Sequence, residues 1–168
     1  MDALHYSIIE ALMALITRDR RLIETQPKEE CINHKFAQHL EEALNQNGLL
    51  NGYDVDVEYD KYKENMKKSS SGNNIRPDII VHERGSGNNK NLIVIEAKKN
   101  YLYPKDRKKV KDLVTNNLFN YKLGALISYL PESAYIRISF LNNGSSSWNI
   151  YRLYKDNFQL KKIKNEPL

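Results

Sequence analysis

Three side chains stand out for the chemistry they could share. Asp78 follows Pro77 and opens the apolar run Ile79-Ile80-Val81. Glu96 and Lys98 flank Ala97 and close the run Leu92-Ile93-Val94-Ile95. Packing alone gives no reason to put two acids and a lysine at the ends of strands that are apolar on both faces. Hard carboxylate oxygens suit Mg²⁺, which keeps several of its waters and needs only one or two carboxylates. A neighbouring ammonium can orient a water or help to deprotonate it, and can stabilise charge developing on a phosphoryl group. The plain alternative is a salt bridge between Glu96 and Lys98 at a strand end.

Whether these groups meet depends on the elements that carry them. Residues Pro77 to Arg84 and Asn91 to Lys99 read as central strands, and Gly85-Ser86-Gly87-Asn88-Asn89 between them is a turn signal, so a hairpin is expected. Facing residues in a hairpin have position numbers with a constant sum. A turn centred on Gly87 or Asn88 places Asp78 opposite Glu96 or opposite Lys98. Glu96 and Lys98 are two apart and share a strand face. Either register gathers the three side chains, whereas a one-residue slip would send Asp78 to the other face.

Elsewhere the pattern predicts a helix over Asp2 to Arg18 and a second over Pro27 to Asn45, with Ile32, Phe36, Leu40 and Leu44 as its apolar stripe. Tyr53 to Asp60 alternates as a strand, and Lys61 to Asn74 reads as a mobile loop. Asp106 to Leu118 reads as a helix with Val110, Leu113, Val114 and Leu118 on one face. Leu123 to Leu130 should then run parallel to the strand ending at Lys99. Ala134 to Leu141 and Trp148 to Tyr154 complete the predicted strands.

Pro77-Asp78 followed after a hairpin by Glu96-Ala97-Lys98 resembles the PD-(D/E)xK signature of restriction-endonuclease-like nucleases, over roughly Glu29 to Leu130. The resemblance implies an α/β fold: a mixed β-sheet flanked by helices, with a restriction-endonuclease-like αβββαβ core, an extra N-terminal helix and C-terminal strands. It implies that Asp78 and Glu96 bind the metal, that the Ala97 carbonyl is a further ligand, and that Lys98 is the catalytic lysine. That family often adds a glutamate from the helix preceding the sheet. Glu29 is the choice, with Glu30 as competitor, because Glu29, Ile32, Asn33 and Phe36 share one helical face; Glu29 then joins both the metal and the catalytic set. His34, one turn on, is a weaker candidate for touching substrate. The basic residues Lys99, Lys105, Arg107, Lys108 and Lys111 follow the active-site strand and are placed to neutralise phosphates. Tyr101 and Tyr103 are placed to stack on bases of a single-stranded or frayed substrate.

Composition bounds the reading. A chain of 168 residues argues for one domain, 1–168, and 40% hydrophobic residues suffice for one core. The excess of Lys and Arg gives a formal net charge of +5, mild support for a polyanionic partner. One cysteine, Cys31, cannot pair within the chain and fits a reducing, cytoplasmic setting. No apolar run approaches the roughly 18 residues a membrane span needs, and Asp2 and Glu10 are acidic where a signal peptide is basic. Zinc-type Cys-x-x-Cys pairs, a phosphate-binding glycine loop and a Gly-x-Ser-x-Gly elbow are missing. The expectation is a Mg²⁺- or Mn²⁺-dependent nuclease acting on DNA, with a homodimer as one route to targeting. The alternative is a catalytically silent nuclease-fold module that binds nucleic acid or regulates a partner.

Overall fold

A computed structural model describes residues 1–59, 74–85 and 90–168, together with the backbone of 61–62 and 65–66. Helix α1 (Ala3–Arg18) starts where the Asp2 carboxylate accepts the backbone N–H groups of Leu4 and His5. It stops at Asp19, and a short α2 (Arg20–Glu24), not foreseen in the sequence, follows. Helix α3 (Glu29–Gln46) begins two residues later than Pro27. It packs along α1, burying Ile32, Phe36, Leu40 and Leu44 completely.

Strand β1 (Asp54–Val57) is shorter than its alternating pattern. The predicted loop over 61–74 falls largely outside the described residues. Within it, however, β2 (Lys61–Tyr62) and β3 (Asn65–Met66) pair antiparallel, which corrects the loop assignment there. Strands β4 (Ile79–His82) and β5 (Asn91–Lys98) form the expected antiparallel pair, and residues 86–89 of its turn lie outside the described set.

Helix α4 runs Pro104–Thr115 rather than Asp106 to Leu118. Pro104 suits a first helical position because the N–H it lacks would be unsatisfied there anyway. The Asp106 carboxylate accepts the Tyr103 N–H at 2.8 Å and fixes that start. Asn116 is extended, so Leu118 leaves the apolar face and is 45% exposed. Strands β6 (Leu123–Ser128), β7 (Tyr135–Asn142) and β8 (Ser147–Tyr154) follow as expected, and an unforeseen β9 (Leu160–Pro167) ends the sheet.

The fold is α/β with a seven-stranded mixed sheet, ordered β1-β4-β5-β6-β7-β8-β9, and with α1–α4 as its helices. Only β5 and β6 run parallel, joined through α4, and the other neighbours are antiparallel. One face packs Ile79, Ile93, Ile95, Ala125, Ile138 and Leu153 against α1 and α3. The opposite face packs Ile80, Val94, Leu126 and Trp148 with Val110, Leu113 and Val114 of α4. Gly124 lets α4 approach closely: a Cβ there would lie 2.6 Å from Val110 Cγ1 and 2.7 Å from Val114 Cγ2. No helix among the described residues is long and apolar enough to cross a membrane.

Candidate functional site: an acidic cluster around Lys98

In the β4–β5 ladder Ile79 faces Ile95 and Ile80 faces Val94, so the partner positions sum to 174. Continued one residue, that register puts Asp78 opposite Glu96, which selects between the two registers left open by the sequence. The Asp78 carbonyl accepts the Glu58 N–H at 2.8 Å, which fixes its backbone to the end of β1. Continued another residue, the register puts Pro77 opposite Ala97. Proline has no N–H to offer the Ala97 carbonyl, and the Ala97 N–H donates to Asp78 Oδ2 at 2.8 Å. The ladder therefore ends at Asp78 and Glu96.

Lys98 Nζ lies 3.0 Å from Glu29 Oε1, 3.1 Å from Asp78 Oδ2 and 3.3 Å from Glu96 Oε1. Three carboxylates from a helix start, a pre-strand residue and a strand thus converge on one ammonium. Glu29 arrives because Ile32, Asn33 and Phe36, on its side of α3, are buried against the sheet, and Asn33 accepts the Tyr129 hydroxyl at 2.9 Å. The second oxygen of Glu29 accepts the Lys99 N–H at 2.9 Å. Both Glu29 oxygens are therefore engaged, and as a metal ligand Glu29 would have to release one. Glu30 is exposed and lines a groove with Cys31, His34 and Val57. His34 sits in that groove as well, 3.4 Å from Gln38, and not among the carboxylates.

The electrostatics follow from burial. Burial pushes the Asp78 carboxyl above the ordinary aspartate range, against the pull of the Ala97 N–H and Lys98. Glu96, 1% exposed, is raised by burial and by repulsion from Asp78, against Lys109 and Lys98. For Lys98 burial disfavours the charge, but Asp78, Glu96 and Glu29 outweigh it, and its pKa lies above the ordinary lysine range. Glu96 Oε2 is buried without a hydrogen-bond partner, an uncommon and costly state for a carboxylate oxygen.

Sequence reasoning missed Lys109 as part of this site. Its Nζ donates to Glu96 Oε1 at 2.6 Å and to the Arg76 carbonyl at 3.3 Å. The available signal was helical phase: Lys109 adjoins Val110 and lies four residues before Leu113, at the border of the buried stripe. The predicted phosphate-binding residues are not gathered in one place. Lys105 and Lys108 are exposed, and Lys111 is half-buried. Lys99 Nζ reaches the Gln26 carbonyl at 3.4 Å. Arg107 turns away to Glu166, 2.5 Å distant, and lies over the Trp148 ring.

Among the described residues no group of three or more acidic, histidine or cysteine side chains is placed to hold a metal ion. The donor chemistry nevertheless fits a hard divalent cation: buried carboxylates that repel, one carboxylate oxygen without a partner, and a carbonyl opposite a proline. No family model matches the chain, and no curated protein and no solved structure matches it.

Proposed function

We propose that the chain is a Mg²⁺- or Mn²⁺-dependent nuclease that hydrolyses phosphodiester bonds in DNA. The observation that carries the reading is the convergence of Glu29, Asp78 and Glu96 on Lys98, with Glu96 Oε2 left unpartnered. Burying carboxylates beside one another raises the free energy of the folded protein, which is consistent with a site kept for its chemistry. With the separate β2–β3 pair set aside, the order α3, β1, β4, β5, α4, β6 supports a restriction-endonuclease-like αβββαβ core, with α1 and α2 before it and β7 to β9 after it.

Asp78 and Glu96 would hold the cation, together with the Ala97 carbonyl. Such a cation supplies a Lewis acid for the phosphoryl group and lowers the pKa of a bound water. Lys98 places positive charge where a phosphoryl oxygen gains negative charge. Glu29 aims the Lys98 ammonium and, through the Lys99 N–H, ties α3 to the end of β5. Lys109 fixes one oxygen of Glu96, so that the other keeps a set direction. Lys105, Lys108 and Lys111 on α4 supply charge for flanking phosphates.

The test is a cleavage screen over single-stranded, duplex and branched DNA and over RNA, with Mg²⁺ and Mn²⁺. Asp78→Ala is expected to abolish cleavage. Lys98→Ala is expected to lower the single-turnover rate by about 10²–10³, the typical effect of removing one electrostatic donor. A second reading, a silent nuclease-fold binding module, draws on the absence of a ready metal cluster among the described residues. Wild-type protein that cleaves no substrate with either ion would overturn the first reading and make the second the better account.

A further inference from the structure

Lys98 is one end of a row that crosses the sheet. The registers pair Lys98 with Ser128, Ser128 with Arg137, Arg137 with Arg152, and Arg152 with Lys161. Directly paired residues point to the same face, so β5 to β9 present a lysine, a serine, two arginines and a lysine in line. This is the α4 face, but α4 packs over β5, β6 and part of β7, so the row lies beyond its cover on β7 to β9. No carboxylate belongs to the row. Arg137 makes no ion pair among the described residues, and Arg152 lies over the Tyr135 ring at 4.4 Å.

Aromatic rings border the same surface. Tyr101 and Tyr103, in the connection from β5 to α4, are 65% and 64% exposed. They line one groove with Pro104, Arg107, Ser128 and Arg137. Tyr101 also lines a second, with Tyr135, Arg137, Arg152 and Ile163. Arg107 pairs with Glu166 through Nη1, and its Nη2 is buried without a partner.

We propose that this uncovered half of the sheet is a track for one polynucleotide strand, which crosses β9, β8 and β7 and delivers its backbone to Lys98. The proposal rests on the nucleic-acid reading above and adds to it the strand's path and its single-stranded form. A polyanion complements the row. Four inter-strand steps of about 4.8 Å make it roughly 19 Å long. That accommodates about five or six stacked nucleotides at 3.4 Å each, and fewer if the strand is stretched. Exposed tyrosines beside a cationic groove are the arrangement that holds unpaired bases by stacking. A duplex keeps its bases stacked on one another and offers nothing to Tyr101 or Tyr103.

The experiment reads binding apart from cleavage. Anisotropy of a labelled single-stranded oligonucleotide is measured in EDTA across a salt series. The variant Arg137→Gln/Arg152→Gln/Lys161→Gln is compared with Lys35→Gln/Lys122→Gln/Lys162→Gln, which loses equal charge off this row; Lys162 pairs with Tyr151 on the other face. Loss of three phosphate contacts lowers the salt slope by about 2, and so affinity near 0.1 M salt by about 100-fold. The control should change it several-fold at most. Tyr101→Ala and Tyr103→Ala should each cost about five-fold or more on single strands and little on a duplex. If the triple variant does not fold, as judged by circular dichroism, Arg137→Gln and Lys161→Gln are tested singly, each expected to lower the slope by about 0.7. Equal behaviour of row and control variants overturns the track, as does duplex binding tighter than single-strand binding. Wild type that binds through the row but cleaves nothing overturns only the nuclease reading. Cleavage that persists at subsaturating substrate in the row variant overturns only the track.

Discussion

Replacing Lys98 by Met keeps most of the side chain's volume and removes the charge on which Glu29, Asp78 and Glu96 converge. Removing one partner of a buried ion pair costs about 3–5 kcal/mol, because the other charge is left uncompensated. Lys98 is 21% exposed and Lys109 remains on Glu96, so the low end, about 3 kcal/mol near pH 8, is the expectation. The sign of the pH dependence follows from the raised carboxyls of Asp78 and Glu96. A carboxyl whose pKa is higher in the folded protein contributes stability below its unfolded value, and that contribution is lost as pH rises through the folded value. Lys98 holds both carboxyls down, so its removal moves them further up. The variant should therefore diverge from wild type as pH climbs out of the carboxylate range towards neutrality. Each pH unit over which the folded variant holds one extra proton relieves about 1.4 kcal/mol, so the penalty should be smaller near pH 5 than near pH 8. For a chain of this size about 3 kcal/mol is roughly 6–12 °C in Tm. Thermal melts near pH 5 and pH 8 are the assay, with a Mg²⁺ arm near pH 8 in which the variant should recover part of the loss. An equal penalty at both pH values would refute the electrostatic account.

Gly124→Ala should destabilise the protein by about 1–2 kcal/mol. Overpacking against Val110 and Val114 costs about 1–3 kcal/mol, and relief of a strand glycine returns about 0.5–1. Urea titration reads the loss, and an unchanged or raised midpoint would mean that α4 has room above β6. Lys109→Met leaves Glu96 with Lys98 alone and should lower stability by about 1–3 kcal/mol near pH 8. Chemical denaturation at a lower pH should show a smaller difference, because Glu96, whose carboxyl is raised, needs a partner charge less as it takes up its proton.

Much of the site could be read in the chain because it depends on local periodicity. The two-residue spacing puts Glu96 and Lys98 on one face, and the stripe through Ile32 and Phe36 turns Glu29, not Glu30, towards the sheet. What could not be read depends on tertiary placement. A run of lysines does not say which one turns inward, so Lys109 was hidden among its neighbours. Strand β9 was missed because its residues are exposed or only half-buried: an edge strand bearing lysines shows little apolar alternation. The start of α4 was legible in Pro104 but was set two residues late, at Asp106, whose carboxylate closes the first turn. The row from Lys98 to Lys161 has no sequence period, because it is assembled across five strands.

The position of β5 in the sheet has a consequence for where the molecule can loosen. β5 has a neighbour on each edge and helices over both faces, and all its residues but Lys98 are buried. β9 borders one neighbour only and buries no residue fully. Amide protons should therefore exchange slowest along β5 and fastest along β9, with opening free energies graded outward from one to the other. Of the residues proposed for chemistry, Glu96 and Lys98 lie on the strand expected to open last, and the outermost lysines lie where the backbone should open most readily. The same sheet would thus hold the groups proposed for chemistry still at its centre and give at its rim to the strand proposed to cross it.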